Sequence, residues 1–166
     1  MKKLIYTLVF PFLIISCNDI QEQERGIPGP EEVKVKIPEI NIDSVANNLK
    51  EKGYQTFTYE EGDTTYLMQQ YYMVFLKRGE NRSQDSTEAA RLQKEHLAYL
   101  TRMAEEGYAS LIGPFASDGD IRGIAVYNTA TQEEADSLAN QDPMVKAGRL
   151  KVEVHPWWTA KGGKLN

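Results

Sequence analysis

The stretch from Tyr71 to Leu100, YYMVFLKRGENRSQDSTEAARLQKEHLAYL, decides how the rest of the chain folds. Residues 71–76 are apolar without interruption and Lys77 closes the run, the pattern of a strand covered on both faces. RGENRSQ (78–84) has no apolar periodicity and reads as a loop. Asp85-Ser86-Thr87-Glu88 then shows capping-box spacing, with Asp85 as cap and Glu88 reaching back. A helix is therefore expected from Asp85 to about Glu106, with Gly107 closing it. On a wheel turning about 100° per residue, Ala89, Leu92, His96, Tyr99, Leu100 and Met103 share one apolar arc, with Leu97 and Ala104 at its margin. His96 lies near the middle of that arc, so its ring is expected to face a sheet rather than water. A buried imidazole without a partner costs about 1–3 kcal/mol, so a hydrogen-bond partner is required.

Working outward, YASLIGPF (108–115) and IRGIAVYN (121–128) read as two strands joined by the turn SDGD (117–120). Thr131-Gln132-Glu133-Glu134 repeats the capping logic for a second helix to about Ala139, and LKVEVHPWW (150–158) supplies a last strand. The order βαββαβ is α+β, a ferredoxin-like four-stranded antiparallel sheet with two helices on one face. The strands are apolar on both sides. Tyr72, Val74 and Leu76 point one way and Tyr71, Met73 and Phe75 the other, and Ile124, Ala125, Val126 and Tyr127 repeat this in the third strand. Two helices cover one face, and the other would leave an apolar patch of roughly several hundred Å² in water. The simplest remedy is a homodimer with two sheets facing each other about a twofold axis. The alternative is that an N-terminal hairpin covers part of that face.

That hairpin lies in an extension over residues 43–69. Asp43 and Ser44 offer a cap for a short helix ended by Gly53, and YQTFTYEEGDTTYLM (54–68) turns around Glu61-Gly62-Asp63. Residues 17–42 are polar and broken by Pro28, Pro30 and Pro38, the composition of a disordered tether. Residues 1–16 carry Lys2 and Lys3 and then an apolar run, the layout of an export signal and too short for a span of roughly 20 residues. Ile14-Ile15-Ser16-Cys17 resembles the lipobox of bacterial lipoproteins, which implies a lipidated Cys17 holding the protein to a membrane of the bacterial cell envelope, on the periplasmic or surface side. An ordinary secretory signal, or an uncleaved anchor with an incidental cysteine, are the other readings. Removing residues 1–16 leaves 17 basic and 24 acidic residues, a charge of −7, which disfavours nucleic acid and anionic headgroups as partners.

A partner for His96 is offered by Asp142 in NQDPMVKAG (140–148), between the second helix and the last strand. Two readings of Asp142 stand side by side. It caps a short turn begun by Pro143 and ended by Gly148, or it hydrogen-bonds one nitrogen of His96 and leaves the other free for acid–base work. Over roughly residues 70–158, HLAYLTRMAEEGYASLIGPF and TQEEADSLANQDPMVKAGRLKVEVHPWW together resemble the YCII-related (YciI-like) family. The points of likeness are His96, Gly113-Pro114 and Asp142-Pro143 before an Ala-Gly. The resemblance implies a dimeric α+β barrel over residues 70–160, with an active site built from His96 and Asp142. It implies no particular reaction, although one branch of the family looks like a dechlorinating enzyme acting on hydroxylated aromatics.

Other candidates are weaker. Ser110, Arg122 and Arg149 bind an anionic substrate if they point inward, while each singly reads as a solvated or structural residue; Ser110, Gly113, Pro114 and Arg149 are the residues expected to contact substrate beside His96. His155 reads as a strand-end residue at a dimer or barrel rim, and Trp157 and Trp158 as packing residues. No metal site is expected: the two histidines are 59 positions apart, the one thiol is Cys17, and Asp118-Gly119-Asp120 lacks the further oxygens of a calcium loop. No phosphate-cradling glycine loop or G-x-S-x-G is present, so no cofactor is expected. The sequence thus points to an enzyme transferring a proton on, or eliminating from, an unidentified small molecule, with a non-catalytic binding or interaction module at the envelope as the alternative.

Overall fold

A computed structural model describes residues 40–165. The expected leader 1–16, Cys17 and nearly all of the tether lie outside the described residues. The tether was expected to reach residue 42, but helix α1 (Ile42–Glu51) already begins there. Its cap is Asn41, whose side chain accepts from the Ser44 amide at 2.9 Å, and not Asp43 or Ser44. Asp43 sits instead in the first turn, where a carboxylate complements the positive end of the helix dipole.

Strand β1 (Thr56–Glu61) pairs antiparallel with β2 (Thr64–Arg78), leaving Gly62-Asp63 as a two-residue turn. The return arm of this hairpin and the first core strand are one continuous strand, so a boundary at 69/70 falls inside β2. No turn residue breaks the chain there. Gln69 is fully buried, with its amide donating to Asn128 Oδ1 at 2.7 Å and accepting from Lys161 Nζ at 2.9 Å, which satisfies a polar group in mid-strand.

Helix α2 (Ser86–Glu105) leads to β3 (Ala109–Pro114) and β4 (Ile121–Tyr127). Helix α3 (Gln132–Ala139), a single turn α4 (Pro143–Lys146) and β5 (Leu150–Ala160) follow. All strand pairs are antiparallel: β5 flanks β2 on one side, while β4 and β1 share its other side end to end, and β3 lies outside β4. The ferredoxin-like order is therefore β5-β2-β4-β3, with β1 prolonging the sheet. The hairpin extends this sheet in its own plane and does not fold over its face, because its backbone groups pair with β2 itself.

Side-chain alternation sorts the two faces. Tyr72, Val74, Leu76, Ala125 and Tyr127 form one core with Leu92, Tyr99 and Met103 of α2 and Ala135 and Ala139 of α3. Val74 is 0% exposed, and burying such a side chain stabilises by about 1.5–3 kcal/mol. The Tyr99 hydroxyl donates to the Leu138 carbonyl at 2.6 Å, tying α2 to α3. On the opposite face Met73 and Phe75 are half-buried, and Trp157 is 37% exposed.

Two loops clasp each other at one end of the sheet. Gly79 N donates to Arg149 O and Asn81 N to Gly148 O, both at 3.0 Å. A Cβ on Gly79 would stand 2.2 Å from Gly148 O, so only glycine allows the approach, and Gly148 itself has φ +69. This clasp fixes the segment before α2 against the segment before β5.

Candidate functional site

Helix α2 carries His96 to the sheet. Its start is fixed by Asp85, which accepts from the Glu88 amide at 2.8 Å. Glu88 does not complete the expected capping box, because its carboxylate accepts from Arg91 at 2.8 and 2.6 Å instead. Leu92, His96, Tyr99, Leu100 and Met103 are buried as the wheel requires, whereas Leu97 at the margin is 54% exposed.

Asp142 arrives from the junction between α3 and α4. Pro143 pushes it to an extended backbone, φ −57 and ψ 130, which turns its side chain back across the junction. Its Oδ1 accepts from the Met144 amide at 2.8 Å, and its Oδ2 lies 2.6 Å from His96 Nδ1. The two readings of Asp142 are thus both realised, one by each oxygen. The pair is enclosed, with side chains 10% and 2% exposed. With the carboxylate as acceptor, Nδ1 carries the proton and Nε2 of the neutral ring is left as a base.

The imidazole forms part of the wall of a cavity of about 890 Å³ between α2 and the sheet. Leu76, Leu100, Ile112, Met144 and Leu150 give it an apolar part, and the exposed Leu97 and Phe115 also line it. Gly113, Pro114 and Arg149, three of the candidate substrate contacts, line it, and so does Arg122. Ser110 does not. It is exposed and sits at the bulge where the β3–β4 register slips between Ala109 and Leu111, which turns it away from the cavity.

Arg82 also lines the cavity and was not expected from sequence, since it lies in a loop with no periodic signal. Burial is the largest cause holding its pKa below the usual arginine value, followed by the like charges of Arg149, Arg78 and Arg122. Under the site, burial raises the Tyr127 phenol above the ordinary tyrosine value, assisted by Tyr99 and Asp142, so this phenol stays neutral. Among the described residues no group of three His, Cys, Asp or Glu side chains is placed to hold a metal ion. No helix among them is long and apolar enough to cross a membrane.

His155 points to the face opposite the helices, its Nε2 2.6 Å from Glu153 Oε1 and its ring edge-on to Phe75. It takes no part in the cavity. Trp157 and Trp158 are 37% and 39% exposed on opposite faces of β5, and Trp158 packs on Phe57 with ring centroids 5.0 Å apart.

A search of curated proteins found no match. Among solved structures, the chain is similar to 5-chloro-2-hydroxyhydroquinone dehydrochlorinase of Burkholderia phenoliruptrix in complex with 2,5-dihydroxybenzoquinone. The identity is 21% and the TM-score 0.40, over 52% of this chain and 92% of that one. The model of the YCII-related domain matches residues 71–158, more than half of the sequence and the span that holds His96, the cavity and Asp142. The chain belongs to the YCII-related domain family.

Proposed function

We propose that this chain is a lipid-anchored, dimeric YCII-related protein of the bacterial cell envelope that transfers a proton on a small organic molecule, with or without elimination. His96 is the general acid/base and Asp142 the positioning carboxylate. The observation that carries this reading is the 2.6 Å contact between His96 Nδ1 and Asp142 Oδ2 at the wall of the cavity. Nε2 removes a proton from substrate, and the electron pair left behind is either delocalised into an adjacent unsaturated group or expels a leaving group. Asp142 stabilises the imidazolium so formed, which then returns the proton to product. Gly113, Pro114 and Arg149 contact the substrate. A placed general base contributes about 10²–10⁴-fold in rate.

The anchor rests on the lipobox-like Ile14-Ile15-Ser16-Cys17, and Cys17→Ala should abolish incorporation of a fatty-acid label in cells. The dimer rests on the half-buried Met73 and Phe75 and the exposed Trp157 on the sheet face that the helices leave uncovered. A monomer in sedimentation at micromolar concentration would remove that part of the reading.

A second reading, an envelope module without catalysis, is favoured by the bond from Met144 N to Asp142 Oδ1, which gives the carboxylate a structural task of its own. Solvent-proton exchange separates the two. A panel of small carbonyl and hydroxyaromatic compounds is followed by proton NMR in D₂O. The enzyme reading requires a compound whose exchange is accelerated by the wild type, lost in His96→Asn and slowed about 100-fold in Asp142→Asn. Equal rates for wild type and both variants across the panel would leave the binding module.

A further inference from the structure

The cavity beside His96 carries an unbalanced charge. Three guanidinium groups, Arg82, Arg122 and Arg149, belong to its wall, against one carboxylate, Glu105. Glu105 lies nine residues beyond His96 on α2, about 13 Å further along the helix axis. The chain as a whole has a formal charge of −5, so this wall reverses the sign of the protein around it.

The partners of these arginines decide what they are available for. Arg122 pairs with Asp118, which also accepts from Arg78 at 3.3 Å, so one carboxylate serves two guanidiniums. Arg82 and Arg149 pair with no carboxylate among the described residues. Arg82 donates to the Arg149 carbonyl at 3.3 Å, and Arg149 to Gln84 Oε1 at 3.0 Å. Both contacts are to neutral acceptors, and each guanidinium has five N–H donors, so most remain unspent. The Gly79–Gly148 clasp holds the two residues together, because Arg82 follows one of its strands and Arg149 ends the other. Gathering three cations on one wall with too few counter-charges disfavours the unliganded state; desolvation first, and then the like charges of Arg149, Arg78 and Arg122, hold the pKa of Arg82 down against the opposing pull of Asp118.

We infer that the cavity binds a small organic oxyanion, a carboxylate or phosphate monoester on an apolar body, with Arg82 and Arg149 on the anionic group and the body against Leu100 and Ile112. This inference rests on the cavity beside His96 being the ligand site, and it names the chemical class that site takes. Guanidinium forks match planar oxyanions, and charge-assisted hydrogen bonds are about twice as strong as neutral ones. The anion would be the handle, and the reacting atom would lie on the apolar body near His96 Nε2.

The test is binding of benzoate and phenyl phosphate, with benzamide as the neutral counterpart, followed on the backbone amide signals by NMR titration of the full chain. One or both anions should bind at least about tenfold more tightly than benzamide. That ratio should fall towards one in Arg82→Gln and in Arg149→Gln, each first checked for an unchanged melting temperature. Asp118→Asn, at a side chain 81% exposed, removes the shared counter-charge and should tighten anion binding about threefold without harming the fold. Which anion binds better distinguishes the carboxylate from the phosphate. Anions that bind no better than benzamide, no binding by any of the three, or a preference that both arginine variants retain would overturn the inference. His96→Asn keeps the two claims apart. Loss of exchange activity with the anion preference intact supports both readings. An anion preference that vanishes in His96→Asn alone assigns the anion to the imidazole and overturns this inference while sparing the acid–base pair. An arginine-dependent preference in a protein that never exchanges protons leaves the binding site and removes the enzyme.

Discussion

His96 and His155 each hold a ring nitrogen 2.6 Å from a carboxylate oxygen, yet the two pairs stand in different solvents. His96 and Asp142 are 10% and 2% exposed, whereas His155 and Glu153 are 51% and 48% exposed. Asp142 is also fixed by the Met144 amide, while Glu153 is shared with the ammonium of Lys77 at 3.0 Å, which also pairs with Asp120. A hydrogen bond in water trades one partner for another and fixes little; the same bond in the core has no substitute and therefore sets ring orientation and tautomer. Contact distance alone thus says little about a His–carboxylate pair. Burial, and a second restraint on the carboxylate, separate an enclosed pair from a surface one.

The contrast is broken most severely by removing each carboxylate in turn. Asp142→Ala strips a buried imidazole and the Met144 amide of their acceptor and should cost about 1–3 kcal/mol for each donor left unsatisfied, read in chemical denaturation. Glu153→Ala should leave the unfolding midpoint unchanged. Equal effects would mean that the enclosure of the first pair has no energetic consequence. A substitution that touches neither histidine sharpens the comparison next. Gly79→Ala forces a Cβ into Gly148 O and should cost about 1–3 kcal/mol by overpacking, while weakening ligand binding at the cavity and leaving His155 and Phe75 undisturbed in their NMR signals.

The smallest effect is that of alkali on the helix-covered side. Burial is the largest cause raising the phenols of Tyr72, Tyr99 and Tyr127, all members of that core. Their folded values lie above the unfolded value of 10.0, so the folded state retains protons that the unfolded state sheds. Stability should be constant with respect to these groups below pH 10 and decline as pH rises above it. A denaturation midpoint that holds steady between pH 9.5 and 11.5 would contradict this.

Most of the core was legible in the sequence because it depends on periodicity and local capping. Asp85 and Thr131 accept from the amides expected of caps, and the apolar arc of α2 is buried with His96 in it. What escaped depends on contacts between segments distant in the chain. The continuity of β2 through Gln69 follows from bonds to Asn128 and Lys161, 59 and 92 positions away. Arg82 enters the cavity wall because Gly79 meets Gly148, and nothing in RGENRSQ announces that approach. Ser110 is exposed at a register slip, and a bulge leaves no mark in the apolar pattern of β3. The double duty of Asp142 was visible only as two alternatives, since a sequence shows that a carboxylate is available but not that its two oxygens are spent separately.

The central claim is that Asp142 fixes His96 with Nδ1 protonated and Nε2 facing the cavity. Imidazole nitrogen NMR at neutral pH, on protein carrying ¹⁵N-histidine, reads this directly. The account predicts that the neutral His96 ring holds its proton on Nδ1 in the wild type and loses that preference in Asp142→Asn, with His155 unchanged as an internal control. A His96 ring protonated on Nε2, or a tautomer indifferent to Asp142→Asn, would contradict it.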